Sequence, residues 1–267
     1  MSSIPWFICL NDLYQEQAKV AVATAEICKN FKRYCLYNGN DEAFVRFLES
    51  YEVTVIRGEC AIHDEIHEYV SDPNEVRTAC STYLRLDVPV VLKKLEVKAS
   101  HYLYTDVDVL FQSDPYELLN SYLPETFAAA GENAKNCDVS KHFNAGVLWC
   151  NSEYMLETYD ALITSITDKQ FKFAGRDQGA LNSFYKTSVK KLSDLLNWKT
   201  YWGINDDASI IHYHGMQSDR AEKLIELGAS LFAERIPGLK PLVCHSKHAE
   251  ESIIHYYRKF QSLLKTL

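Results

Sequence analysis

The chain has 267 residues, a formal net charge of -8, 47% hydrophobic and 24% charged residues. This is the size of one large α/β domain or of one domain with an appendage, able to bury a core without disulfide staples. The acidic balance speaks against nucleic acid as a partner. It leaves anionic small molecules open, because a bound divalent cation can supply positive charge locally.

Ile4–Leu10 reads as a buried strand, and Tyr14–Lys29 carries Val20, Ala21, Ala25 and Cys28 at helical spacing. Tyr34–Tyr37 is a second strand, ended by Asn38-Gly39-Asn40. Asp41 is placed to cap a helix through Ser50, and Val53–Ile56 is a third strand. A β-α-β-α-β order implies a parallel sheet with right-handed crossovers. Residues 59–73 have no clear period, and Asn74–Val97 is expected to be helical with a break near Pro89. His101–Thr105 is the next buried strand and runs into Asp106-Val107-Asp108. Asp114-Pro115 opens a further helix, and Phe143–Cys150 and Ile210–Tyr213 read as later strands. From Asp219 onward the chain is expected to be helical, with Ser218 or Asp219 as a cap. The last helix spans His248–Leu264, with an apolar stripe of Ile253, Ile254, Tyr257, Phe260 and Leu264. That pattern divides the chain into an α/β unit, 1–217, and a helical extension, 218–267, packed on the same domain.

Eight cysteines are present without a C-x-x-C pair, which speaks against a cysteine zinc site and for a reducing, cytoplasmic setting. There is no charged-then-apolar leader, no apolar run long enough to cross a bilayer and no N-x-S/T sequon. Lys247, Arg258, Lys259 and Lys265 around the last helix leave room for peripheral membrane contact, although such a stripe is more often core. His63-Asp64-Glu65-Ile66-His67 places two histidines at i and i+4. The zinc-protease pattern needs Glu where Asp64 stands, so a polar surface helix or lid is the expectation.

Ligands of open α/β sheets bind at the carboxyl ends of strands, where Asp106 and Asp108 lie. At i and i+2 their carboxylates can converge on one hard cation, Mg²⁺ or Mn²⁺, whose shell phosphate oxygens commonly complete. Such a site suits a diphosphate leaving group, whose developing charge must be neutralised as its bond breaks. By itself a D-x-D is a weak signal, and two solvated aspartates at a strand end are the common alternative.

Five further features carry a resemblance. They are Asn11-Asp12-Leu13-Tyr14; Thr82-Tyr83-Leu84-Arg85-Leu86; Tyr102 to Leu110 around the acidic pair; Phe143-Asn144-Ala145-Gly146-Val147-Leu148 with Gly175 to Asn182; and Ile211-His212-Tyr213-His214-Gly215. In this order they resemble glycosyltransferase family 8, the group that includes glycogenin and bacterial lipopolysaccharide galactosyltransferases. The resemblance implies a GT-A fold: a Rossmann-like, mostly parallel sheet flanked by helices, with a smaller acceptor-side sheet and, here, C-terminal helices. It implies a metal-dependent enzyme that moves a hexose, glucose or galactose, from a UDP-sugar to a hydroxyl acceptor such as a glycan with retention of configuration.

By the same resemblance Asn11, Asp12 and Tyr14 line the uridine pocket, and Arg85 reaches the donor sugar or diphosphate. Asp106 and Asp108 hold Mn²⁺ (Mg²⁺ being the alternative), His212 is the third ligand, and Val107 belongs to the donor-binding segment. Asn144, Asp177 and Gln178 surround the transferred sugar, with Arg85 beside them. Gly215 lets backbone approach the phosphates. His214 is expected on the other face of its strand from His212 and outside the metal set. Family members often carry Lys-Pro-Trp after the His-x-x-Gly, the lysine touching phosphate. Here Met216-Gln217-Ser218-Asp219-Arg220 stands instead, and Arg220 is the nearest cation that could replace it. Each residue also has a bland reading: Arg85 as a surface ion-pair partner, Asn144 as a turn residue, Asp177-Gln178 as a helix cap and His212 as a core histidine. Two rival functions remain at this stage, a strand-end aspartyl phosphatase and a non-catalytic nucleotide-sugar binder.

Overall fold

The computed structural model describes residues 3–169 and 176–267. In chain order the elements begin β1 (Ile4–Asn11), α1 (Gln15–Thr24), β2 (Phe31–Asn38), α2 (Glu42–Ser50) and β3 (Thr54–Arg57). There follow α3 (His63–Tyr69), α4 (Pro73–Tyr83), α5 (Val88–Lys94), β4 (His101–Thr105), β5 (Val109–Phe111), α6 (Tyr116–Asn120) and β6 (Phe127–Gly131). Then come β7 (Phe143–Asn151), α7 (Ser152–Glu157), α8 (Tyr159–Asp168), α9 (Arg176–Phe184), β8 (Val189–Lys191), β9 (Trp198–Lys199) and β10 (Ile210–His212). The C-terminal part is α10 (Ser218–Arg235), α11 (Lys240–Val243) and α12 (Ala249–Leu264).

Seven strands form one sheet in the order β3-β2-β1-β4-β7-β6-β8. The ladders β3/β2, β2/β1, β1/β4 and β6/β8 are parallel, and β7 runs antiparallel to both β4 and β6. A second sheet, β5-β10-β9, lies beside it. This is the expected mostly parallel α/β architecture with a smaller sheet. Every residue of β1 is buried, and the period of two sorts them onto two cores. Phe7 and Cys9 face the core under α4, α5 and α9, while Ile4, Trp6, Ile8 and Leu10 face the core under α1 and α2. A strand covered on both sides must be apolar throughout, hence the unbroken run in the sequence.

Local rules explain several boundaries. Asp41 caps α2 as expected, its carboxylate accepting from the amides of Ala43 and Phe44. The first helix ends at Thr24, short of the expected Lys29, and a 3-10 turn, Ala25–Ile27, follows. Residues 59–73 contain α3, whose seven residues give too few turns to show a period. The break in the next helical stretch is a 3-10 turn at Leu84–Asp87, and Pro89 sits in the first turn of α5, where its missing N–H costs nothing. Neither Ser218 nor Asp219 caps α10; Gln217 holds that position without a side-chain hydrogen bond.

The C-terminal helices pack on the smaller sheet through Ile253, Tyr256 and Phe260, with Ile211, Tyr213 and Trp202 opposite them. The Ser252 hydroxyl donates to the Thr200 carbonyl at 2.6 Å, and the Tyr213 hydroxyl to the Tyr256 carbonyl at 2.9 Å. The apolar stripe of α12 is therefore largely core. Among the described residues no helix is long and apolar enough to cross a membrane.

At the seam of the two sheets the fully buried Lys199 amine reaches the Gly131 carbonyl at 3.0 Å and lies 4.7 Å from the Trp202 ring centre. Burial lowers its pKa to about 7, against the ordinary 10.5. Between these values the unfolded chain holds a proton that the folded chain has released, so stability rises with pH across that window. Lys199→Met should flatten this rise in urea unfolding measured at the two ends of the window. An unchanged slope would remove Lys199 as its source.

Candidate active site

The site is built where β4 ends and the antiparallel β7 begins. Asp106 follows the last residue of β4, and its amide donates to the Gly146 carbonyl of β7 at 2.7 Å. Asp108 precedes β5, which pairs antiparallel with β10, and this ladder sets His212 opposite Val109. The amide of Tyr213 donates to the Asp108 carbonyl at 2.9 Å and locks the two segments together. Nε2 of His212 lies 3.2 Å from Oδ1 of Asp108 and 3.8 Å from Oδ2 of Asp106. One ligand atom from each of these residues falls within 4.8 Å of the others. The three expected ligands thus converge, although 104 residues of sequence separate Asp108 from His212.

The surroundings fit a cation. His212 is buried, and its Nδ1 meets Asn197 Oδ1 at 2.9 Å, so that Nε2 is left to face the carboxylates. Burial alone would raise the Asp108 pKa, but His212 and Gln217 reverse it and the carboxyl is held below its ordinary value. Gly146 has no side chain for a steric reason. A Cβ there would lie 2.1 Å from His212 Cε1 and 2.9 Å from Asp106 Oδ2, inside the site itself. The donor set of two carboxylates and one imidazole suits Mn²⁺ better than Mg²⁺.

Arg85 is no surface residue. Its side chain is 8% exposed and lies 2.9 Å from Asp106 Oδ1 and 2.8 Å from Asp177 Oδ2. It also donates to the Ala145 carbonyl at 2.7 Å and stacks 4.8 Å from the ring centre of Tyr104. Burial opposes its charge, and the two carboxylates more than restore it. The Tyr104 hydroxyl donates to the same Asp106 oxygen at 2.8 Å.

Asn144 and Gln178 form the next layer. The Asn144 amide nitrogen donates to Glu132 at 3.0 Å and to Gln178 at 3.3 Å, and its oxygen accepts from Gly146 and Asn197. At 2% exposure its polar atoms are engaged inside the protein. Gln178 also accepts from the Ala145 amide at 2.9 Å. Asp177 sits in the first turn of α9, but its side chain pairs with Arg85 across the site and is not a local cap. Gly175 lies outside the described residues.

The remaining expected residues are more spread. Asn11 is 6% exposed, accepts from the Leu13 amide and donates to the Arg77 carbonyl, each at 2.9 Å. Asp12 is exposed and accepts from the Tyr37 hydroxyl and Gln15. Tyr14 lines a cleft with Arg85, Tyr104, Val107, Asp108 and Gln217. Asn11 and Asp12 line a neighbouring cleft of about 620 Å³. Gly215 has φ +69, and a Cβ would meet Leu242 at 2.7 Å, so both backbone and packing require glycine. Arg220 donates to the Gly215 carbonyl at 2.9 Å and steadies that loop.

Four residues escaped the sequence reading. His214 was placed away from His212, yet residues two apart share a face of a strand, and the rings lie 5.5 Å apart. His214 reaches Glu132 at 3.1 Å and the Tyr201 hydroxyl at 2.9 Å. Burial would raise the Glu132 carboxyl, but hydrogen bonding and charge from His214 bring it to about 2. Asn197 and Glu132 lie in no motif, and Gln217, within the stretch that lacks the family's lysine, donates to Asp108 at 3.1 Å. The His-x-His spacing was the one available signal among them.

The family model for glycosyl transferase family 8 matches residues 7–217. A galactosyltransferase, LgtC, solved with donor and acceptor sugar analogues, superposes with a TM-score of 0.67 at 17% identity, covering 99% of this chain and 96% of that one. The apo glycosyltransferase GlyE of Streptococcus pneumoniae TIGR4 gives 0.61 at 19% identity, covering 80% of this chain and 55% of that one. Mouse xyloside xylosyltransferase 1 gives 0.54 at 15% identity, with 79% and 97% covered. No curated protein matches the chain. At these identities the structures speak for the fold, which is of the GT-A type. The family match over most of the chain, on a fold shared with these transferases, makes this chain a member of glycosyltransferase family 8 and a glycosyltransferase.

Proposed function

We propose that this enzyme transfers a hexose, glucose or galactose, from a UDP-sugar to a hydroxyl acceptor, a glycan, with retention and with Mn²⁺ as its cation. The observation that carries this reading is the convergence of Asp106, Asp108 and His212 beside a buried, charged Arg85. When bound, the ion supplies charge neutralisation for the diphosphate leaving group. The protein does the rest. Asp106, Asp108 and His212 are the ligands, and Gly146 leaves the room they need. Tyr14 offers a ring for the base and Asn11 and Asp12 border the nucleoside. Val107 and Gly215 bring backbone to the donor, and Gln217 takes the place of the family's lysine as the polar group beside Asp108.

Arg85, Asn144, Asp177 and Gln178 surround the sugar in this reading. Asp177 and Glu132 are both already paired, with Arg85 and with His214. That supports retention by a front-face route, in which the departing phosphate oxygen takes the acceptor proton, over attack by a protein carboxylate. Residues 1–217 form the catalytic unit, and 218–267 an extension that braces the strand carrying His212. Eight free cysteines fit a cytoplasmic location. Basic residues around α12 keep peripheral membrane contact within this proposal.

The test is release of UDP from UDP-glucose and UDP-galactose with Mn²⁺ and a glycan acceptor. Asp106→Ala and Asp108→Ala should lower turnover by roughly 10²–10³-fold or more, the scale of losing one charge-stabilising group. Undiminished transfer by the double variant sinks the reading. Asn197→Leu frees the His212 ring, and Mn²⁺ affinity should drop roughly 10–100-fold while the chain stays folded. Gly146→Ala should act more severely, because its methyl group enters the ion's own space. Mn²⁺ titration followed by electron paramagnetic resonance measures both, and wild-type affinity in Gly146→Ala would place the ion elsewhere.

A further inference from the structure

A second cluster of ligand-type side chains lies away from the acidic site. Cys60, His63, His67 and Cys80 follow one another in the pattern C-x2-H-x3-H-x12-C. The helical period puts His63 and His67 on one face of α3, with ring centres 4.5 Å apart. Two histidines on a surface helix mean little by themselves. What the fold adds is α4, which lies against α3 and brings up Cys80. One ligand atom each from His63, His67 and Cys80 falls within 4.8 Å of the others.

The chemistry of this set differs from that of the acidic site. A thiolate and two imidazoles suit Zn²⁺, which takes N and S ligands in a tetrahedral shell, whereas two carboxylates suit harder ions. Cys80 is 5% exposed and Cys60 3%, while His67 is exposed, so the group has a closed floor and an open lip. Glu59 and Asp64 lie 3.4 and 3.2 Å from Nδ1 of His63 and add negative charge beside the ring. The Cys60 thiol donates a hydrogen bond toward Cys80, which favours the Cys80 thiolate against the opposing effect of burial. The absence of a C-x-x-C pair excludes a finger of that spacing, but not a site whose thiols come from different elements.

We propose that His63, His67 and Cys80 form a second metal site that binds Zn²⁺ as a structural ion, with the fourth position open to water or to Cys60. The site shares its cleft with Asn11, Asp12 and Asn38. A zinc ion there pins α3 to α4 and holds one wall of the cleft at the carboxyl ends of β1 and β2.

The experiment uses the full chain carrying Asp106→Ala and Asp108→Ala, which disables the acidic site. After chelator treatment and Zn²⁺ addition, one equivalent of zinc should remain on gel filtration. His67→Ala, at an exposed position that the fold does not need, and Cys80→Ser should each lose it. Co²⁺ in place of Zn²⁺ should give a sulfur-to-cobalt charge-transfer band in the near ultraviolet that disappears in Cys80→Ser. Zinc should raise the thermal midpoint of the chain, and this rise should be absent in His67→Ala. No retained zinc equivalent, or one that survives both substitutions, overturns the proposal.

Discussion

The buried guanidinium of Arg85 holds the active site together. It ties the end of β4 to α9 through Asp106 and Asp177, and it ties both to β7 through the Ala145 carbonyl. A buried ion pair need not stabilise a fold, since desolvation offsets much of the attraction. Its effect here is orientation. Arg85 and the Tyr104 hydroxyl both engage Oδ1 of Asp106, so Oδ2 is the oxygen turned toward His212. The charge that neutralises one oxygen thereby leaves the other to face His212. Removing only one partner from such a group is expensive, about 3–5 kcal/mol, because the remaining charge stays buried.

A hydrogen-bond network does for His212 what Arg85 does for Asp106. Glu132, Gln178, Asn144 and Asn197 are linked by hydrogen bonds that end on Nδ1 of His212. The three amide side chains suit this task, because each donates and accepts and can pass orientation along a chain. Fully satisfied buried networks are rigid, and unsatisfied ones are costly. Asn144 and Gln178, which border the sugar position in the proposed function, therefore also help to fix the His212 ring.

The C-terminal helices belong to the same logic. β10 has three residues and would be a weak element by itself. It is held by β5 and β9 at its edges and by α12 beneath, where Tyr213 reaches the Tyr256 carbonyl. His212 is thus positioned by residues inside the family-matched segment and by α12 beyond it.

The sequence by itself determined the first three strands, the Asp41 cap and the acidic strand end, because burial on both faces and turn chemistry leave local traces. β1, α2 and β4 fall where the pattern puts them, and the order of motifs was enough to name the family. Short elements were invisible: α3, β8 and β9 span too few residues to show a period. Only the tertiary structure decided which side chains meet. It showed Arg85 as a buried bridge and brought Asn197 to His212. It also turned His214 toward Glu132 and set Cys80 against two histidines of another helix. Spacing along the chain hints at His-x-His and at the two histidines of α3, but the contacts themselves join residues from separate elements, and their distance in space is set by packing and register.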